Sequence, residues 1–307
     1  MQISTNYLFD RASAQMSQLQ NDLAKSQAQI SAQKQVLNPS DAPDQAASIT
    51  RLKSVIGRND NYASALDTVQ ARLETESTTL SSASDVLIRI KELAIQANNG
   101  TQGSTSRAAI ATEMQGLRDQ LLSLANSTDT TGNYVFSGSK VRTPAFTADS
   151  TGAVSYQGDQ TRMHVAVGDQ RTIAVNRPGT NAFVRVVRTA AGGTTPGTGF
   201  FQSIDDLIKG VKDGTSTVMQ RGLTEMDALH QGVVLAQAEA GTDLKVVDQQ
   251  RAVLDDTKLT LKTVLSNVED LDMATAITNM QKLMLSLEAA QSSFAKVSQL
   301  SLFKYLG

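Results

Sequence analysis

The chain has 307 residues and a formal net charge of −2, with no cysteine, no tryptophan, two histidines and only 4% aromatic residues. Without cysteine, disulfide scaffolds, zinc ribbons, iron–sulfur sites and thiol nucleophiles are excluded, and His164 and His230 alone cannot build a multi-histidine metal site. There is no basic excess to favour nucleic acid, no apolar run of about 18 residues to enter a membrane, and no signal-peptide pattern at the start, so the sequence predicts a non-enzyme without cofactor or metal, nucleic-acid binding or membrane insertion.

The first predicted element is a helix. Spacing of 4 and 3 residues picks out Ala12, Met16, Leu19, Leu23, Ser26, Ile30, Gln33 and Leu37, mostly apolar. That repeat is the signature of a coiled-coil seam. Asn38-Pro39-Ser40-Asp41-Ala42-Pro43 then stops the helix, because a proline and the residue before it resist the α conformation. Pro39, Ser40, Asp41 and Pro43 are read as a hinge loop that sets the angle of the terminal helix.

From Tyr62 the same spacing gives Leu66, Val69, Leu73, Glu76, Leu80, Ala83, Leu87, Ile90, Ala94 and Ala97, a long stripe broken only by Glu76. A second helix follows the loop after Asn98, with Ile110, Met114, Leu117, Leu121 and Leu124 on its stripe.

Residues 132–214 change character, holding 12 of the 20 glycines, three of the five prolines and seven of the 13 aromatic residues. Short Val-, Ile- and Thr-rich runs at Ala153–Tyr156, Met163–Val167 and Arg171–Val175 read as strands of a small antiparallel unit. Thr189–Gly199 reads as an exposed loop, Gly138-Ser139-Lys140 as a turn, and the glycines at 193–199 lack the strand and helix of a dinucleotide site.

Helical patterning then returns. Met226, Leu229, Val233, Ala236 and Ala240 form one helix, and Asp243 looks like the start of another carrying Val247, Leu254, Leu261, Leu265 and Val268. Asp255-Asp256 and Glu269-Asp270-x-Asp272 read as solvated faces or intersubunit polar contacts, without the turn of a calcium loop. The last helix has the sharpest pattern: Met273, Ala276, Met280, Leu283, Leu287, Ala290, Phe294 and Val297, all apolar, widened by Ile277, Met284 and Leu300. A face wider than a two-helix seam calls for more than one neighbour.

The predicted fold is therefore α+β: an elongated helical bundle or coiled coil built from both termini, with a small antiparallel β-rich domain inserted at its far end. The divisions expected are a terminal assembly helix and loop (1–43), the first half of the bundle (44–131), the β-rich insert (132–202), the second half of the bundle (203–268) and a second assembly helix (269–307). An isolated terminal helix is marginal in water. The two terminal stripes are thus expected to order against each other and against neighbouring subunits. On pattern alone, a monomeric coiled coil, or a surface binding module whose insert holds a ligand, fits as well.

Several segments carry a family resemblance. The opening Met1-Gln2-Ile3-Ser4-Thr5-Asn6 with Phe9 and Met16, the run 27–31, and Pro39-Ser40-Asp41-Ala42-Pro43 are similar to the start of the flagellin-like proteins of the bacterial flagellum. Gly132-Asn133-Tyr134-Val135-Phe136-Ser137-Gly138, Tyr156-Gln157-Gly158-Asp159, Gly168, Asn176-Arg177-Pro178-Gly179 and the ending from Arg251 to Leu306 continue the likeness through the chain. The Pro-Ser-Asp-x-Pro and Gly-Asn-Tyr-x-Phe segments resemble the members that join hook to filament more than flagellin itself. Two places depart from the pattern: Ala42, where a second acidic residue is common, and Gln33-Lys34-Gln35, where a Gly-Lys-Arg-like segment is common.

The resemblance implies export unfolded through the flagellar type III apparatus, without a cleavable signal peptide, and a cytoplasmic export chaperone on the C-terminal region. It implies assembly outside the cell on hook-associated protein 1, self-association into a ring or short helical zone, and a surface on which flagellin stacks. The terminal stripes would supply the subunit interface.

Overall fold

The computed structural model describes the backbone of residues 2–190, 193–194 and 197–306, and the side chains of residues 7, 9–188 and 197–296. In chain order the elements are helices α1 (Gln2–Ala32), α2 (Pro43–Ala97) and α3 (Ser104–Ala125), strands β1 (Phe146–Ala148), β2 (Val154–Tyr156), β3 (His164–Gly168) and β4 (Arg171–Ala174), and the single turn α4 (Gly179–Ala182). Strands β5 (Thr189–Ala190) and β6 (Gly193–Thr194) follow, then helices α5 (Phe200–Asp213), α6 (Ser216–Glu269) and α7 (Met273–Leu306). The chain forms two compact units, one comprising the residues up to Arg58 and from Asp256 onward, the other Asn59–Asp255. The division runs through α2 and α6, so the first unit takes in the start of α2 and the end of α6 together with both terminal helices.

In the Asn59–Asp255 unit the heptad stripe of α2 is the spine of the core. Leu66, Val69, Leu73, Glu76, Leu80, Ala83, Leu87, Ile90, Ala94 and Ala97 are all at most 2% exposed. Helix α6 runs antiparallel to it. Asn59 Nδ2 donates to the Leu254 carbonyl (2.7 Å), Asp67 pairs with Arg251, Ser84 lies 2.9 Å from His230 Nε2, and Lys91 pairs with Asp227. The apolar stripe of α6 (Met226, Leu229, Val233, Ala236, Ala240, Val247 and Leu254) is buried against this spine.

Helix α5 was hidden inside the glycine-rich region. Its Phe200, Ile204, Leu207, Ile208 and Val211 form an apolar face against α3, and Gly214 at φ 71° closes its C-terminus. Phe183 sits among Phe136, Phe146, Phe200 and Phe201, with ring centroids 5.1–6.4 Å apart and mostly edge-to-face. The aromatic residues scarce elsewhere are gathered here, where four segments meet.

Three expectations are corrected. The predicted third and fourth helices are one 54-residue helix, α6. Asp243 reads as a helix start, but its carboxylate is held 3.2 Å from Arg177 Nη2, a partner from a distant segment, and the helix runs on through it. Thr189–Gly199 is not merely a loop. Strand β5 pairs antiparallel with β6 and Val186 bridges Thr198, since backbone ladders need no core-filling side chains. The insert, finally, does not sit beyond the helix ends. Val167, Ile173 and Val175 pack beside Leu66, Val69 and Leu73 of α2, so the β hairpin completes the core.

The insert is built from paired hairpins. Strands β1 and β2 join antiparallel with Phe146 opposite Tyr156, and β3 and β4 join with Val165 opposite Ile173. Two of its turns repeat one device. Asp129 Oδ1 accepts from Thr131 N (2.9 Å), Thr131 Oγ1 (2.6 Å) and Asn133 N (3.0 Å); Asp149 Oδ1 does the same with Thr151 and Ala153. Gly132 and Gly152 occupy the left-handed position in each, at φ 81° and 86°.

Gly138 is under a stricter demand. It has φ 72°, and a Cβ there would stand 2.5 Å from the Asp159 carbonyl oxygen. Asp159 in turn accepts from Ser139 N (2.9 Å) and Ser139 Oγ (2.5 Å), and these bonds hold its carboxyl well below the usual range. Gly138→Ala combines left-handed strain with overlap and is expected to destabilise the unit by about 2–4 kcal/mol. Urea unfolding followed by circular dichroism measures this, and a loss below about 0.5 kcal/mol would contradict the assigned conformation.

Candidate assembly surface

Within the first unit, α1 and α7 lie antiparallel. Phe9 meets Phe294 edge-to-face at 5.3 Å near one end, while the Gln33 carbonyl accepts from Leu271 N (3.1 Å) at the other. The predicted stripe positions Ala12, Met16, Leu19, Leu23 and Ile30 of α1, and Met273, Ala276, Met280, Leu283, Leu287, Ala290 and Phe294 of α7, are all half-buried, as is Leu37 in the following loop. The side chain of Val297, and those of Met1–Asn6, lie outside the described residues.

Among the described residues no side chain of α1 or α7 is fully buried, whereas the same repeat on α2 reaches 0–2% exposure. The difference is one of partners. A two-helix seam covers one flank of each stripe, and α2 has α6 and the insert around it. Phe9, Ala12, Met16, Ala290 and Phe294 line an open apolar groove, and Ile277, Met284 and Leu285 stand 40%, 43% and 69% exposed beside the α7 stripe.

The loops where these helices join α2 and α6 are pinned together. Gln35 N donates to the Glu269 carbonyl (2.8 Å), giving a short antiparallel bridge between Lys34 and Asp270. Glu269, 7% exposed, is clasped by Lys34 Nζ (2.6 Å) and Lys53 Nζ (2.8 Å). Lys34, then Lys53, hold its carboxyl below the ordinary range. So Glu269 is not a solvated or intersubunit group but an internal clamp. At the departure in 33–35, Lys34 supplies a basic contact to Glu269. Gln33, at φ 55°, is the one described non-glycine residue in the left-handed region.

Of the hinge residues, Asp41 bonds Lys25 Nζ (2.9 Å) and accepts from Asn38 N (3.2 Å), and both contacts lower its carboxyl. Pro43 is the first residue of α2, a position where its missing N–H is harmless. Pro39 and Ser40 are exposed. Asp272 caps α7, accepting from Ala274 N (3.1 Å) and Thr275 N (3.3 Å). His164 is exposed with Nδ1 3.1 Å from the Arg162 carbonyl, and His230 lies beside Ser84.

Residues 3–141 match the bacterial flagellin N-terminal helical region and residues 223–306 the bacterial flagellin C-terminal helical region, together well over half of the chain. The chain belongs to the flagellin-like family. Flagellar hook-associated protein 3 of Salmonella typhimurium is 28% identical to this flagellin-like chain over 317 aligned residues, covering 99% of each. A flagellin of Clostridium tyrobutyricum is 27% identical over 142 residues, covering 46% of this chain and 37% of its own. The crystal structure of Xanthomonas campestris FlgL shares the fold, with a TM-score of 0.62 at 24% identity over 71% of this chain and 99% of that one. The flagellin-like segments take in α1, α7 and most of α2 and α6, the elements that carry the heptad stripes.

Proposed function

We propose that this chain is a structural, non-enzymatic protein of the bacterial flagellum that forms the junction between hook and filament. It polymerises through α1 and α7 and presents a surface on which flagellin assembles. The half-buried stripes on both terminal helices carry the reading, because they form a seam too wide for two helices to close. The end-to-end likeness to a hook-associated protein 3, against a partial likeness to a flagellin, supports the junction over the filament proper.

In this reading the stripe residues from Ala12 to Leu37 and from Met273 to Val297 meet neighbouring copies, and the loop with Pro39, Ser40, Asp41 and Pro43 sets the approach of α1. The partners are further copies in a ring or helical zone, hook-associated protein 1 beneath and flagellin above. A cytoplasmic export chaperone and the flagellar type III apparatus come first, and the protein works outside the cell after export without a cleavable signal peptide. The absence of cysteine suits such a route, since no disulfide has to form after passage.

Electron microscopy of hook-basal bodies from cells lacking the gene tests this. Hooks without filaments are expected, restored by the full chain but not by one missing residues 1–37. Filaments of normal length in the deletion strain would overturn the proposal.

A further inference from the structure

The helix pair α2–α6 runs through two separate hydrophobic cores, divided by a layer of charge centred on buried Glu76 and Arg177. One core holds Leu80 to Ala97 of α2 and α6 as far as Ala236, together with α3, α5 and Phe136, Phe146 and Phe183 of the insert. The other holds Leu66, Val69 and Leu73 of α2, Val247 and Leu254 of α6, and Val167, Ile173 and Val175 of the insert. On α2 the stripe position between them is Glu76, 0% exposed; on α6 it is Asp243, between Ala240 and Val247. Two carboxylates thus take stripe positions, Glu76 fully buried and Asp243 at the edge of the seam with its side chain 29% exposed.

Neither helix neutralises them. That cation comes from the segment after β4. Arg177, 1% exposed, donates through Nη1 to Glu76 Oε1 (3.1 Å) and to the Ala236 carbonyl (3.2 Å), and through Nη2 to Asp243 Oδ2 (3.2 Å). Its Nε lies 3.5 Å from Glu239 Oε2. The other charges around Glu76 are committed or distant. Arg72, one turn earlier on α2, bonds Asp129 (2.9 Å) and the Tyr134 carbonyl (3.1 Å), and Arg162, before β3, lies 3.8 Å from Asp243. The next polar stripe position on α6, Gln250, also turns to the insert, donating to the Val167 carbonyl (3.0 Å).

We propose that Arg177 is the brace that closes the Leu66–Leu73 half of the helix pair. Arriving with the insert, it bridges two carboxylates that would otherwise repel inside the seam. Closure of this half is therefore conditional on the charge that arrives with the insert, whereas the Leu80–Ala97 half, which also packs on the insert, does so through apolar contacts that do not involve Arg177. Buried ionic groups are best attested in this role of making one arrangement conditional on another.

Acidity acts on the same layer. Burial pushes the Glu76 carboxyl up to about 7, against the opposing pull of Arg177, with Asp243 raising it further and Arg72 and Arg162 lowering it. A folded-state value above the unfolded one gives stabilisation fully present below the unfolded pKa of 4.5 and lost as pH rises through 7. Acidification from pH 8 to 5 therefore tightens this half. Carboxylates held low, such as Asp159 and Asp149, have the opposite sign, and their stabilisation is lost only as pH falls below the ordinary carboxylate range.

The chain has no cysteine, so nitroxide labels can be placed at will. The double substitution D67C/R251C reports on the braced half and K91C/D227C on the other, both in the full chain, by pulsed dipolar distance measurement. Both pairs are expected to give narrow distributions. With R177M, the 67/251 distribution is expected to broaden at least twofold while 91/227 stays narrow; both narrow, or both broad, would overturn the proposal. Adding E76Q and D243N to R177M removes the repulsion at equal volume and is expected to restore a narrow 67/251 distribution. Persistent broadening there would show that the bulk of Arg177, not its charge, closed the seam, and would overturn the brace. With Arg177 in place, the 67/251 distribution is expected to narrow from pH 8 to 5, and E76Q to abolish that change; a pH-independent width would overturn the acid dependence.

Discussion

A chain carrying Phe294→Asp is expected to fold as before between Asn59 and Asp255 and to fail to enter the flagellum. Phe294 meets Phe9 edge-to-face and lines the groove between α1 and α7 with Ala12, Met16 and Ala290. It is only half-buried in the single chain, so the substitution is tolerable there, because a carboxylate at that site can reach water. In an assembled layer where neighbouring stripes close the groove, the same charge is desolvated without a partner. Such a burial costs about 3–5 kcal/mol per site, over a hundredfold in an association constant, and it recurs in every subunit. Motility and the amount of unpolymerised flagellin in the medium report the outcome. Wild-type swimming would refute the interface assigned to the terminal helices.

Phe183→Ala is expected to have the largest effect on the folded unit itself. Phe183 is 2% exposed and touches Phe136, Phe146, Phe200 and Phe201, which belong to three other segments. Truncation removes a ring from a site that cannot easily collapse, since its neighbours are themselves rings fixed by edge-to-face contacts. The expected loss is about 3–5 kcal/mol. That is a large share of the 5–15 kcal/mol typical of a whole domain. Because the chain lacks tryptophan, unfolding is best followed by circular dichroism in urea. A loss below about 1 kcal/mol would mean that the aromatic cluster is not what joins the insert to α5.

The heptad positions were legible because a period of 3.5 residues is a local property. On α2 the stripe from Leu66 to Ala97 was readable residue by residue, and on α1 and α7 the apolar positions that the spacing picks out among the described residues are half-buried, although Gln33 is exposed beyond the end of α1. Features that depend on distant partners were not legible. Asp243 reads as a helix start because nothing local shows that Arg177 donates to its carboxylate. Glu76 looked like a flaw in the stripe for the same reason. Helix α5 was lost in the composition of its surroundings, although its apolar residues alone would have revealed it. The clamp at Glu269 joins Lys34 and Lys53 across more than two hundred residues of sequence, and no pattern in one segment announces it. The paired Asp-x-Thr-Gly turns at 129–132 and 149–152, by contrast, were available as a short internal repeat.

The incomplete cover on α1 and α7 bears on when polymer can start. On the proposed assembly, two free subunits that collide would cover only one flank of each exposed stripe. An existing tip would offer an incoming chain several flanks at once, and so bury much more apolar surface per subunit added. Growth on a template is then favoured over spontaneous nucleation at equal concentration. A pool of subunits would then remain unpolymerised until a seed is present.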